Sequence, residues 1–433
     1  VKLATLKDIT IIFNSYKLRN IYFKLLKAND NSKNQIYLGS NFSSLQVFRN
    51  LKIQSGFKND KILKAPLIFN WITESGALAI APNAQLIFYP QYPEVRLSGF
   101  LKGCKEAPSS LMNLRQTGRV LIWGINEAGD IAAIVLDPSH TISRQLIAKI
   151  ENDSVIQEFT QPNKRLHNKK LLLSKLLKIH KEDWIPSIRL NGLNEIRPCT
   201  GTNCGGYTLE AKLGVKNNAI SEPDFLGWEI KQFAVGNFEN PSGGAVTLFT
   251  PEPDSGIYTE KGAGYFIRTY GYPDKSGKAH RINFSSPHKF NIKNPNTKLT
   301  LILDGYEPEK NRITNINGGI ILLDEKHQIA AQWNFKSLMS HWNRKHKLAA
   351  YVPSLKRTTT QRIEYRYSQK IFLGEETDFL LFLSACSKSQ IVYDPGIKLE
   401  LRDGVDKIKK RSQFRIAFKA VRHLYKNWTE TNL

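Results

Sequence analysis

Three charged side chains in one short stretch have the types that phosphodiester hydrolysis requires. They are Asp224, Glu229 and Lys231, within Pro223-Asp-Phe-Leu-Gly-Trp-Glu-Ile-Lys-Gln-Phe233. Two carboxylates held together bind a hard divalent cation through oxygen, with Mg2+ the expected one. Such a cation polarises a phosphate and lowers the pKa of a bound water. A neighbouring lysine can orient that water or stabilise charge building on the phosphorane. Trp228, Ile230 and Phe233 interleave with Glu229, Lys231 and Gln232, so a strand over 227–233 puts Glu229 and Lys231 on one face. Asp224 follows a proline at a turn or strand start, close enough in chain to bring its carboxylate beside Glu229. On spacing alone, a solvated strand edge with an ordinary Glu–Lys pair is the plainer reading. Charges that interrupt an apolar run are costly unless they have a role, and this favours the catalytic one.

The charge balance of the whole chain points the same way. Lysine and arginine number 62 against 38 acids in 433 residues, a formal charge of +24. Such an excess repels itself in a compact protein, so a polyanionic partner is expected, with nucleic acid the best fit. A membrane is the other polyanion, but no apolar run is long enough to span one. The short apolar run at Ile11–Phe13 has no small-residue cleavage site after it, so no signal peptide is expected. Cys104, Cys199, Cys204 and Cys386 are few and scattered, which predicts free thiols in a reducing cytoplasm, with Cys199 and Cys204 in a loop rather than on zinc.

The elements that must carry these residues fall into two domains. Short β-type runs at 34–38, 65–72, 77–80, 85–89, 119–125 and 131–136, separated by turn residues, predict a mostly-β barrel or sandwich over residues 1–155. Residues 156–182 form a basic linker and first helix, with a helical rhythm of leucines across 161–181. Residues 183–433 mix strands at 208–214, 227–233, 299–303 and 319–323 with helices at 337–347 and 411–428, an α/β domain with a central mixed sheet.

Several motifs in order resemble a known group of enzymes. Gly205-Gly-Tyr-Thr-Leu-Glu-Ala211, Pro223-Asp-Phe, Gly227-Trp-Glu-Ile-Lys231, Val246-Thr-Leu-Phe-Thr-Pro-Glu-Pro253, Phe266-Ile-Arg-Thr-Tyr-Gly-Tyr272, Arg281-Ile-Asn-Phe284, Tyr393-Asp-Pro-Gly-Ile-Lys-Leu-Glu400 and Arg411-Ser-Gln-Phe-Arg415 look like the MvaI/BcnI restriction endonucleases and are similar to the MutH nickases. Both groups lie in the PD-(D/E)xK superfamily, and the resemblance covers about residues 185–430. It implies Asp224 and Glu229 as ligands of Mg2+, Lys231 as the catalytic lysine, and Glu210 as an additional acid at the edge of a strand. On residue type alone, Glu210 also fits a cap or an ion pair with Lys212.

Base reading calls for Arg or Lys forks on guanine and Asn or Gln on adenine. The family places such residues near its C-terminus, which implies Asp394, Lys398, Arg411, Gln413 and Arg415; a phosphate-clamping role fits each of them as well. Lys347, in the basic cluster His341, Arg344, Lys345, His346, Lys347, is expected to grip the backbone. His280, Arg281 and His288 flank an expected loop.

Two N-terminal segments resemble the DNA-gripping arms of the B3-like pseudobarrel of EcoRII-type effector domains: Asn29, Asp30, Ser32, Lys33, Asn34 and Gln35 in one, Glu94 and Arg96 in the other. Together these resemblances imply a cytoplasmic, monomeric, effector-type type II restriction endonuclease. It would cut double-stranded DNA with Mg2+ at a short G·C-containing, CCWGG-like site while binding a second copy of that site. A MutH-like nickase and a catalytically silent DNA-binding regulator are the competing expectations.

Overall fold

The computed structural model describes residues 3–433 apart from 19, 41, 49, 57–58, 151–153, 160–161, 216–222, 242–243 and 403–404. The chain divides into two compact units, Val1–His167 with Arg312–Ile316, and Asn168–Asn311 with Asn317–Leu433.

The first unit is built on two open sheets. One runs Gln157–Glu158, Asn20–Leu26, Arg119–Ile125, Ile131–Leu136, Phe69–Ile72, Leu78–Ile80; only the Ile131–Leu136 and Phe69–Ile72 pair is parallel. The other runs Ile36–Gly39, Glu94–Ser98, Gln85–Tyr89, Asn59–Pro66, Gln54–Gly56, antiparallel throughout. Among the described residues neither path closes on itself, so the mostly-β expectation holds here without a closed barrel. The expected strands at 85–89, 119–125 and 131–136 form over those residues. The expected run at 65–72 is broken between Pro66 and Phe69. Ile9, Phe13, Leu18, Phe23, Val120, Ile122 and Ile142 make the core beneath the first sheet. Phe13 and Leu18 press so closely on Gly124 that a Cβ there would lie 2.5 Å from the Phe13 ring.

In the second unit the strand Glu229–Ala234 runs parallel to the long strand Leu348–Thr358, with Lys231 beside Tyr351. The opposite edge of Leu348–Thr358 carries Ile363–Tyr367 and Lys370–Glu375, both antiparallel, and Asn427–Asn432 adds beyond the latter. This is the mixed sheet expected. One of its faces holds Ile230, Ala350, Val352, Tyr365 and Leu373 against two helices, Pro162–Lys181 through Leu172, Leu176 and Ile179, and Cys204–Leu213 through Leu209 and Leu213. Phe233 lies on the other face, stacked on Phe418 at 3.9 Å, within an aromatic layer of Tyr351, Phe372, Tyr425 and Trp428.

Three expectations fail locally. Residues 208–214 are not a strand but most of the Cys204–Leu213 helix, which buries Cys204, Gly205, Thr208, Leu209 and Leu213 and ends on left-handed Gly214. That burial follows helical spacing, and Leu, Glu, Ala and Lys are good helix formers. Residues 411–428 are not one helix. They hold the strand Phe414–Ala417, a short helix Phe418–Val421 and a 3-10 turn before the strand Asn427–Asn432. Phe414 and Ile416 are buried in strand alternation, whereas the helical spacing of Phe414, Phe418, Val421 and Tyr425 is what makes a helix the expectation. Cys199 and Cys204 are neither free nor loose, because they form a disulfide at the start of the helix. Among the described residues, no helix is long and apolar enough to cross a membrane.

Candidate active site

A two-residue turn brings the carboxylates together. Phe225 and Trp228 exchange both backbone hydrogen bonds, at 2.9 and 2.8 Å, and between them Leu226 and Gly227 both have positive φ, 50° and 88°. Two central residues of positive φ are the signature of a tight hairpin turn matched to strand twist. Carrying the 225–228 pairing one residue outward sets Asp224 opposite Glu229, in the kind of pair whose side chains leave the same face and approach closely. The four residues of the D-x4-E spacing are therefore the hairpin turn itself. The Asp224 Oδ2 atom accepts the Ile230 amide at 2.8 Å, which anchors the carboxylate to the start of the strand.

Glu229 opens that strand and is 2% exposed. The Lys231 Nζ donates to Glu229 Oε1 at 2.7 Å, as period-two alternation predicts. A buried ion pair persists only with good geometry and further partners, because both charges lose water. Here the surroundings supply negative charge. Burial pulls the Lys231 ammonium down, but Glu229, then Asp224 and Glu210, outweigh it, and its pKa lies above the ordinary lysine value. Lys231 therefore feels the charge of Glu229, Asp224 and Glu210. Glu210 acts from a helix and not from the strand edge expected, and the Lys212 proposed as its partner pairs with Glu182 at 2.5 Å. Gly205, on the same helix, lies so close to Gln232 that a Cβ would meet that side chain at 2.9 Å.

Among the described residues, no group of three or more His, Cys, Asp or Glu side chains is gathered closely enough to hold a metal by itself. The donors still suit Mg2+, a hard ion that keeps several waters and commonly takes only one or two protein carboxylates. Asp224 and Glu229 are two such oxygen donors on one face.

The C-terminal candidates fall into two clusters. Arg415 donates to Asp394 Oδ2 at 2.6 Å and to the Ala245 carbonyl at 2.7 Å, and Gln413 also donates to Asp394, at 3.2 Å. The second cluster stands on an antiparallel sheet of Arg281–Phe284, Ile397–Arg402 and Val405–Lys409. Lys398 there is directly opposite Lys409, and burial together with Arg281, Lys409 and Arg411 pushes its pKa below the ordinary lysine value. Arg281 opens its strand, 3.3 Å from Glu400 and 3.5 Å from Asp274. The guanidinium of Arg411 packs over Gly396. Sequence reasoning missed Lys409, and only the alternation of Val405–Lys409 could have signalled it. Lys347 lies at the junction after the helix Phe335–Lys345, its carbonyl accepting the Glu376 amide. The side chains of Arg344 and Lys345 lie outside the described residues.

In the first unit, pairing of Tyr37 with Arg96 sets the two expected arms side by side. Asn29, Ser32, Lys33 and Asn34 are exposed, whereas Asp30 is buried, pairing with Lys24 at 3.0 Å and accepting the Tyr37 amide at 2.9 Å. Gln35 takes a left-handed φ of 68°. Glu94 accepts from Arg96 at 2.5 Å, and Arg96 lies over the Tyr89 ring. Buried Arg119 donates to the carbonyls of Lys27 and Asp30, which fixes the base of the first arm.

The sequence profile of the MvaI/BcnI restriction endonuclease family matches residues 173–425. The chain belongs to that family. The MvaI/BcnI match takes in the Asp224–Lys231 hairpin and both C-terminal clusters, and leaves residues 1–172 outside it. Solved structures to which the chain is similar include two of MvaI. "Restriction endonuclease MvaI-cognate DNA substrate complex" is 16% identical, covers 63% of this chain and 99% of its own, and has a TM-score of 0.47. "Restriction endonuclease MvaI in the absence of DNA" is 17% identical, with 61% and 97% coverage and a TM-score of 0.34. No curated protein matches the chain.

Proposed function

We propose that this member of the MvaI/BcnI family is an effector-type type II restriction endonuclease that hydrolyses double-stranded DNA at a short, G·C-containing, CCWGG-like site with Mg2+. The observation that carries the reading is the hairpin that sets Asp224 across from Glu229 beside the Lys231 ammonium. Asp224 and Glu229 would hold the Mg2+, which when bound supplies Lewis-acid polarisation and a more acidic water. The Ile230 amide keeps the Asp224 carboxylate in place, and Glu229 holds the Lys231 Nζ where it can donate to an attacking water or a phosphate oxygen. Glu229 chiefly, with Asp224 and then Glu210, supplies the negative charge that favours the Lys231 ammonium.

Asp394, Gln413 and Arg415 are prewired for base edges. Lys398, Arg411, Arg281 and Lys409 form a cationic face for phosphate or guanine. Lys347 is assigned to the backbone. The N-terminal unit acts as a B3-like effector domain that takes a second copy of the site through Asn29, Ser32, Lys33, Asn34, Gln35, Glu94 and Arg96. Asp30 holds the first arm in shape, because its carboxylate is turned inward. The enzyme works as a cytoplasmic monomer.

The test is incubation of the protein with a mixed-sequence plasmid and Mg2+, followed by sequencing of the ends. Discrete linear fragments with one shared terminal sequence are expected, with Asp224→Ala inactive yet binding DNA at least as tightly. Nicked circles alone would mean a MutH-like activity, and cutting that survives Asp224→Ala would remove the assignment of the site.

A further inference from the structure

One exposed element has no part in the site described so far. Strands Ile188–Leu190 and Ile196–Pro198 form an isolated two-stranded ribbon whose register sets Arg189 directly opposite Arg197. Its tip is built, not loose: Asn191 Oδ1 accepts the Leu193 and Glu195 amides at 3.0 and 2.9 Å, Asn191 Nδ2 donates to Glu195 at 3.0 Å, and Asn194 takes a left-handed φ of 64°. Its base is clamped. Thr208 Oγ1 accepts the Ile188 amide and donates to the Ile188 carbonyl, both at 3.1 Å, Ser187 donates to the Cys199 carbonyl, and the Cys199–Cys204 disulfide ties the returning strand to the helix that bears Glu210.

The exposed part of this rigid ribbon is costly as it stands. Like charges directly opposite across a ladder destabilise it. Arg197 is relieved by Glu195 at 2.6 Å, while Arg189 has no ion pair among the described residues. Leu193 at the tip is 79% exposed, more than any other large apolar side chain among the described residues. A polyanion removes the repulsion, a two-stranded ribbon has the width to enter a DNA groove, and apolar tips that press against base steps recur in groove binders.

We propose that the 188–198 ribbon grips DNA beside the catalytic centre, with Arg189 and Arg197 on phosphates and Leu193 in the groove. The proposal rests on the nuclease reading above. The ribbon's attachment to the Glu210 helix then fixes the scissile strand relative to Lys231, so gripping and cutting share one rigid support.

The test is the affinity for a mixed-sequence DNA duplex at several salt concentrations, with Ca2+ in place of Mg2+. Each lost phosphate contact lowers the slope of log K against log salt by about 0.9, so Arg189→Gln with Arg197→Gln is expected to lower it by about 1.8. Lys326→Gln with Lys388→Gln removes the same charge elsewhere and is expected to leave the slope in place. Leu193→Ser is expected to weaken binding at every salt concentration without changing the slope. Arg189→Gln alone is expected to melt no lower than the parent, because it removes a repulsion, which separates a gripping role from a folding one. A parental slope in the double arginine variant overturns the proposal, as does an equal loss in the lysine control. A parent protein that cuts no DNA with Mg2+ would remove the nuclease reading instead, and the ribbon would then be judged on its slope alone.

Discussion

The turn between Asp224 and Glu229 is where a small backbone change can part the catalytic carboxylates without touching either. Gly227 has a φ of 88°, and a Cβ added there meets nothing within 4 Å, so the cost of Gly227→Ala is backbone strain alone. A non-glycine residue in left-handed conformation costs about 1–2 kcal/mol. Leu226, at φ 50°, already carries one such penalty. If the added strain is relieved by opening the turn, the ratio of closed to open turn falls by about 5- to 30-fold. Single-turnover cleavage of plasmid by Gly227→Ala should then slow, by at most that factor because the rate follows the closed fraction, with duplex affinity in Ca2+ unchanged. Leu226→Asn should act in the opposite sense, because asparagine tolerates left-handed backbone, and should restore part of the rate when combined with Gly227→Ala. Melting curves report how much strain is felt by the fold as a whole. A Gly227→Ala protein that melts lower yet cuts at the parental rate would refute the argument, because the turn would then serve stability and not the placement of Asp224. So would a Leu226→Asn change that gives no recovery in the double variant.

Two further outcomes follow from groups outside the turn. Reduction of Cys199–Cys204, which are five residues apart, should remove about 2 kcal/mol by loop-closure entropy. That lowers the melting temperature by roughly 4–8 °C in a unit of this size. Thermal scans with and without dithiothreitol measure it, and a Cys199→Ser, Cys204→Ser protein should ignore the reductant; a parent that also ignores it would show the bond carries no weight. Burial pushes the pKa of His288 down to about 4, so the folded protein binds fewer protons there than the unfolded chain between about pH 4 and 6.5. Stability from that ring is therefore complete above about pH 6.5 and is lost as pH falls towards 4, by about 3 kcal/mol. Denaturant unfolding across that range should be steeper in pH for the parent than for His288→Gln, and parallel profiles would mean the ring is not held neutral.

How far the site could be read in advance depended on the range of the forces that build it. Glu229 and Lys231 were legible because alternation along a strand is local, and the apolar neighbours Trp228 and Ile230 show which side is packed. Asp224 was legible only as a nearby carboxylate. The turn that carries it opposite Glu229 has Leu226 where Asn is the usual signal, so the pairing appears only once backbone hydrogen bonds are seen. The resemblance puts Glu210 at a strand edge, and two adjacent glycines, Gly205 and Gly206, mask a helix whose burial pattern is clear in three dimensions. The family resemblance alone points to Lys398 and Arg411, yet the cationic face exists because residues 281–284, 397–402 and 405–409 pair edge to edge. No pattern within any one of those segments specifies its partner or register. The opposition of Arg189 to Arg197 was likewise invisible until the ribbon's register was known. Residues joined by one turn can be placed from their spacing, whereas a surface that reads or grips DNA is assembled by pairings between strands, and it is there that substitutions must now be tested.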